Sequence, residues 1–349
     1  MNLENSQEQI TEDEASLYDR QIRLWGLEAQ NRMRSSTVLV ISLRSLAHET
    51  IKNLVLAGIG RLIIADSGVV TEEDLGSGFL FREEDGAVGK SRTEAALPQI
   101  ASLNPLVTLL GIGDDIFRTG KEEEAVNMMK REGVDVVVVC DLSVKENEKI
   151  NNAARKAGSL FYAASSFGFY GFVFADLGES FEYVDNTPPG LTKKSLSYSP
   201  LVKVLDKANW DKPNGSPFRG LSKNATKALA PNVALCLLAL WEFESQNNRS
   251  PSNEADLSDM TSFAENLRKT LAINPVAFPS VDLSTLSHLV LHSTHFFVPT
   301  LAILGGFLAQ DVLRSLSRKG KPIANLLTVD SMGGIGTVGR WCMADSAEA

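Results

Sequence analysis

The stretch V-L-V-I-S-L-R-S-L-A-H-E-T-I-K-N-L, Val38 to Leu54, decides the fold of this chain, because it reads as a buried strand running straight into a helix. In α/β folds that bind nucleotides, this junction carries a glycine-rich loop. Its glycines permit a tight turn and let phosphates approach backbone N–H groups at the helix N-terminus. Here no glycine stands between Ser42 and His48, and Leu43, Arg44 and Leu46 fill the space with side chains. A literal G-x-G-x-x-G occurs at Gly334, Gly336 and Gly339, but only ten residues follow it and none makes the required helix. It reads instead as a glycine-rich hairpin. Gly58 and Gly60 read as the cap of the first helix.

Working outward, Thr37 to Ser42, Arg61 to Asp66, Val107 to Ile112, Val134 to Cys140 and Leu160 to Ala164 are strand candidates separated by helical patterns. The second, third and fourth are nearly continuous in Val, Ile and Leu, which predicts burial on both faces of a parallel sheet. The fold class is therefore α/β, doubly wound, with a mostly parallel sheet. F-G-F-Y-G-F-V-F-A-D-L-G, Phe167 to Gly178, suits strands that turn back across that sheet. The core is expected over residues 1–185, including an N-terminal docking helix, and again over 295–349. There a long helix, Val298 to Ser317, precedes a strand, Leu326 to Asp330. Between them, 186–294 reads as a partly irregular helical and loop insertion punctuated by T-P-P-G and K-P-N-G-S-P. Helices are expected at Asn224 to Glu244 and Met260 to Leu271, with a mobile segment near 245–259.

Composition narrows the function. A net charge of −9, with no sizeable Lys/Arg cluster, argues against nucleic acid. The opening fifteen residues carry five acidic groups and no basic one, so a signal or transit peptide is not expected. The longest apolar run, Phe296 to Ala309, has 14 residues, too few to span a bilayer. Cys140, Cys236 and Cys342 lie far apart, with no C-x-x-C, and read as ordinary buried or structural thiols of a reducing compartment. His48, His288, His292 and His295 show no metal-ligand spacing, and no metal is expected in this chain.

Ahead of the first strand stands Y-D-R-Q-I-R-L-W-G, Tyr18 to Gly26. Its plain reading is a helix docking Leu17, Leu24 and Trp25 on the core with Arg20 and Arg23 in solvent. Further motifs follow in order: V-T-E-E-D-L-G-S-G-F-L-F (Val70 to Phe81), V-G-K-S-R-T-E-A-A (Val88 to Ala96), L-N-P (Leu103 to Pro105), the aromatic stretch at Phe167, and P-T-L-A-I-L-G-G-F-L-A-Q-D-V-L (Pro299 to Leu313) with Val329 and Asp330. Together they resemble the ubiquitin-like protein activating enzymes, whose adenylation domains are of the Rossmann-like ThiF/MoeB type. Within that family the chain is similar to the smaller, Aos-type subunits of heterodimeric SUMO-activating enzymes.

The resemblance implies a division of labour. The family's glycine-rich loop is here Ser42 to His48, its acidic pair after the second strand survives as Asp66 with Gly68 in second place, and its nucleotide-gripping Asn and Arg correspond to Gly76 and Ser77. The family's lysine is Arg92, with Lys90 retained beside it, and Asp141 matches the magnesium-associated aspartate. Asp66, Lys90 and Asp141 thus read as vestigial nucleotide-pocket positions. Taken alone, Asp141 is a polar strand end ahead of a helix capped by Ser143 and Glu146. Arg20 matches the arginine that one adenylation half inserts into the ATP site of the other, and its fixed guanidinium fork suits phosphate charge. Arg23 is a second candidate there, with packing or an intramolecular pair as alternatives. No cofactor is expected in this chain. ATP and Mg2+ are expected in a larger catalytic partner subunit, which would also carry the thioester cysteine, with SUMO as the activated modifier and the nucleus, and secondarily the cytoplasm, as location. Against this stand a nicotinamide or flavin oxidoreductase, a homodimeric sulfur-carrier adenylating enzyme, the regulatory subunit of a neddylation-activating enzyme, and a scaffold in which Arg20 has no catalytic part.

Overall fold

The structure, a computed structural model, describes residues 11–187 and 190–344. Acidic Glu4 and Glu8 and the prolines of T-P-P-G lie outside the described residues. Ten strands are described: β1 (Thr37–Ile41), β2 (Arg61–Ala65), β3 (Thr108–Ile112), β4 (Val136–Cys140), β5 (Leu160–Phe167), β6 (Tyr170–Asp176), β7 (Phe181–Thr187), β8 (Gly190–Leu196), β9 (Leu326–Asp330) and β10 (Ile335–Gly339). Eight of them form one sheet in the order β10-β9-β6-β5-β4-β1-β2-β3, and β7 and β8 pair as a separate hairpin. β5, β4, β1, β2 and β3 run parallel, whereas β6, β9 and β10 are added antiparallel.

Strand periodicity makes the layers. Leu39, Ile41, Ile63, Val137 and Val139 enter one apolar cluster, while Val38, Val40, Leu62, Ile64, Val136 and Val138 enter another, so each strand feeds both faces alternately. Helices Ser45–Ala57, Arg92–Leu103 and Val298–Ser317 cover the second face. The first is covered by Glu122–Glu132 and Val144–Ala157, and also by Pro231–Asn247, Glu254–Thr270 and Leu283–Leu291, which belong to the stretch expected as an insertion. Helix Pro231–Asn247 is apolar nearly all round because it is buried on nearly all sides. No single helix among the described residues is long and apolar enough to cross a membrane.

Several local expectations need correction. The third strand lies at the sheet edge and is only half covered, so its apolar run does not mark burial on both faces. The expected helix Asn224 to Glu244 is two helices, Lys223–Leu229 and Pro231–Asn247, broken where Ala230 takes φ 43°. Pro231 supplies no N–H and disfavours helical backbone in the residue before it. The helix expected from Met260 begins at Glu254, because the Asn253 side chain accepts from the Asp256 N–H and Arg249 forks onto the Asp256 carboxylate. The glycine-rich segment near the C-terminus is β10, a hairpin strand against β9, and its Gly334 takes φ 62° in the turn.

The N-terminal nonamer docks differently from expectation. Leu17 and Leu24 are 56% and 79% exposed, and the residue that enters the core is Tyr18. Its hydroxyl accepts from Asn104 Nδ2 at 2.8 Å, and the same amide also donates to the Val55 carbonyl at 2.8 Å. L-N-P thus ties the nonamer to the end of the first core helix. Gly58 caps that helix at φ 82°, and a Cβ there would lie 2.5 Å from the Tyr18 ring, so both conformation and space require glycine. Trp25 Nε1 donates to Gln30, whose amide donates in turn to the Ala57 carbonyl, and Lys319 donates to the Trp25 carbonyl.

Candidate functional site

β1 and β4 are neighbours whose following helices lead to opposite sides of the sheet, which places the crevice beyond their carboxyl ends at the topological switch point. The residues that leave these strands, Ser42 and Asp141, have φ 70° and 53°. Two non-glycine residues in left-handed backbone mark a locally strained junction.

The glycine-free loop is packed against its own structure. Leu43 and Leu46 are fully buried, and the Leu43 N–H donates to Asp66 Oδ2 at 2.7 Å. Asp66 Oδ1 accepts from the Gly68 N–H at 2.7 Å. Arg92 Nη1 stands 3.7 Å from Asp66, while Arg92 Nη2 and Nε reach Asp74 Oδ2 at 3.0 and 3.2 Å. Arg44 lies 3.9 Å from Asp74 with its guanidinium over the Phe296 ring at 4.7 Å. His48 is buried edge-on to Phe81, and burial pushes its imidazole down to about 3, so it is neutral at physiological pH. Ser45 and Ser77 share a hydroxyl hydrogen bond of 2.6 Å. The positions that would approach phosphates are thus filled by apolar side chains and by a two-arginine, two-aspartate cluster, and the donor set does not fit a nucleotide.

Of the expected pocket residues, the structure brings Asp66 into this cluster. Lys90 instead lies on an exposed loop, donating to the Asp85 carbonyl at 2.8 Å. Asp141 is partly buried on the far side, in a cleft of about 140 Å³ shared with Arg44, Ser165 and Ser166. Its Oδ1 accepts from the Ser166 N–H at 3.2 Å and its Oδ2 has no hydrogen-bond partner among the described residues. The expected cap follows it, with the Ser143 and Glu146 side chains bonding each other's backbone N–H groups. Asp74 was not singled out from the sequence. The signal was the T-x-x-D box of Thr71 and Asp74, a capping motif that conceals a second acceptor for Arg92.

Burial pushes the Asp141 carboxyl up to about 7, against the opposing pull of the Ser166 N–H and the Arg44 charge. A folded value above the unfolded one means that this group favours the native state at acid pH and loses that contribution as pH rises through about 7. Asp141→Asn keeps the shape and tolerates left-handed backbone. We expect it to stabilise the chain above pH 7 by about 1–3 kcal/mol, less than the full shift because water reaches the cleft, and to do so little near pH 4. Urea unfolding of both proteins across that range checks it, and parallel pH profiles would refute it.

Arg20 lies exposed on the helix Asp19–Trp25 and makes no hydrogen bond or ion pair with the described residues. Arg23, one turn on, is paired to Asp19 at 3.0 Å. The thiols of Cys140 and Cys236 are buried, and burial raises both above the usual range, so neither has the character of a nucleophile.

Comparison with known proteins identifies the family. The model of the ThiF family matches residues 18–344. The chain is 31% identical to SUMO-activating enzyme subunit 1 of Homo sapiens, with 94% of this chain and 95% of that one covered. It is likewise 31% identical to the protein of the same name from Dictyostelium discoideum, with 94% of each covered. Identity to the DNA damage tolerance protein RHC31 of Saccharomyces cerevisiae is also 31%, over 93% of this chain and 96% of that one. A family match over nearly the whole chain, on a doubly wound sheet, places this protein in the ThiF family.

Proposed function

We propose that this chain is the smaller, non-nucleotide-binding subunit of a heterodimeric SUMO-activating enzyme. Its larger partner subunit holds ATP and Mg2+, and this chain presents Arg20 to the phosphates in trans. The reaction joins the C-terminal carboxylate of SUMO to the α-phosphate of ATP and releases pyrophosphate. The acyl group then passes to a cysteine of the partner. The chain's own contribution is positional and electrostatic: Tyr18, clamped between Asn104 and Gly58, fixes the helix from which Arg20 projects, and the guanidinium stabilises charge developing on phosphate oxygens.

The observation that carries this reading is the contrast between two sets of charges. Arg92 at the switch point is held by Asp66 and Asp74, whereas Arg20 is exposed and has no partner among the described residues, beside exposed Leu17, Leu24 and Leu27. An unpaired arginine rimmed by apolar surface suits a face that a partner covers. Regulation of a neddylation-activating enzyme is the second reading for the same surface, but the relatives named above favour SUMO. A nuclear location, and secondarily a cytoplasmic one, goes with this assignment.

The lone subunit is expected to bind ATP with a dissociation constant above about 1 mM, because filling a phosphate loop with side chains removes the backbone donors that anchor the nucleotide. Isothermal calorimetry on the purified chain tests this. Micromolar binding would place a nucleotide site in this chain and overturn the division of labour.

A further inference from the structure

Away from the switch point, the hairpin of β7 and β8 is stitched to the end of helix Val298–Ser317. The Val184 N–H donates to the Arg318 carbonyl at 2.8 Å, and the Gly320 N–H donates back to the Val184 carbonyl at 2.9 Å. A cleft of about 590 Å³ opens along this seam and a second, of about 300 Å³, lies beyond it against Ser35, Val134 and Asp135; Arg32, Leu316 and Arg318 line both. Arg32 and Arg318 therefore stand on the boundary, or ridge, that the two clefts share. Arg318 takes φ 57°, and its guanidinium lies over the Phe181 ring at 4.2 Å, with one N–H directed to the Glu182 carbonyl at 3.4 Å. Among the described residues no carboxylate oxygen lies within ion-pair distance of it. Arg32 is paired with Glu28 and donates to the Ser317 carbonyl at 3.2 Å. Lys193, exposed on β8, lines the larger cleft without a partner among the described residues, and Glu182 is the acidic residue in that wall.

The ordinary account of such arginines is that they cap helix carbonyls. It covers Arg32, which reaches Ser317, but not Arg318, whose guanidinium turns away from the helix toward the ring of Phe181. Burial lowers the Arg318 value, and the positive charge of Arg32 lowers it further, against the opposing pull of Glu182, so the Arg318 cation is held at a cost. A multivalent anion would relieve that repulsion. Two arginines shared by adjoining clefts, with Lys193 in the larger one, suit an anion bearing more than one phosphate, and the larger cleft has the size of a small-molecule site.

We infer that the Arg32–Arg318 ridge, with Lys193, is a binding site for a small anion bearing more than one phosphate group. It shares no lining residue with the cleft at Asp141. The probe is inorganic tripolyphosphate, titrated into the full chain by calorimetry at fixed ionic strength. Saturable binding is expected, weakened about tenfold or more by Arg318→Gln or Arg32→Gln, and by a smaller factor by Lys193→Gln. Arg131→Gln, at an exposed position elsewhere, should leave binding unchanged. Lys193 is a surface residue, so its variant remains informative if the Arg318 variant fails to fold. Absence of saturable binding at matched chloride would overturn the site. So would binding that survives the Arg32 and Lys193 substitutions together, or binding that disappears with Arg44→Gln while surviving Arg318→Gln.

Discussion

Replacing Arg20 with alanine should leave the chain folded and assembled with its partner, yet lower SUMO-dependent pyrophosphate exchange by ~10²–10³, the usual consequence of losing one preorganised donor to developing charge. The folding half of this expectation rests on exposure. Arg20 makes no bond to the described residues, and such surface substitutions change stability by about 0.5 kcal/mol or less. The docking of its helix depends on Tyr18 and Trp25, which the substitution does not touch. Arg20→Lys should also be impaired, because an ammonium on a flexible stem does not reproduce a bidentate fork. Arg23→Ala is the internal comparison: its guanidinium is paired with Asp19 on an exposed helix face, and its loss should cost far less. The measurement is exchange by the reconstituted heterodimer, with assembly followed by gel filtration. Near-normal exchange in an intact Arg20→Ala complex would reduce this chain to a scaffold.

The largest effect on stability should come from Arg92→Leu. Arg92 faces two nearly buried carboxylates, 3.7 Å from Asp66 and 3.0 Å from Asp74. Burial alone would raise the Asp74 carboxyl, but the Thr71 N–H and Arg92 together hold it below its usual value. Leucine would leave Asp66 with neutral donors only and Asp74 with neutral donors and the more distant Arg44, and removing one partner of a buried pair costs about 3–5 kcal/mol. Arg44, near Asp74 but at 3.9 Å, recovers part of this, so a loss of about 3 kcal/mol is expected at neutral pH. The sign of the pH dependence follows from Asp74. A depressed folded value stabilises above the unfolded one and loses that contribution as pH falls, so the deficit of the variant should shrink toward pH 3. Thermal unfolding at pH 7 and pH 3 measures both. A variant as stable as the parent at pH 7 would mean that the cluster gains nothing from the arginine, and the filled pocket would then be apolar packing alone.

By itself the sequence determined the sheet and the character of the loop. The alternating and continuous Val/Ile/Leu runs specified β1, β2 and β4 because a strand buried on both faces has few other compositions. The glycine-free Ser42 to His48 already predicted poor approach of phosphates, since that expectation depends only on side-chain volume next to the backbone, and the structure places Leu43 and Leu46 there fully buried. The same composition misplaced β3, whose apolar run does not reveal that no strand flanks it on one side. Periodicity likewise assigned an apolar face to the nonamer but chose Leu17 and Leu24, whereas Tyr18 is the residue inside. A helix this short presents no decisive stripe, and the choice fell to a long-range hydrogen bond with Asn104. Only the tertiary structure brought Asp66, Asp74, Arg92 and Arg44 into one cluster, and Arg32 beside Arg318. Local spacing decides which residues of an element share a face. Which distant charges meet across two faces is decided by strand order and helix crossing, and those are properties of the assembled core.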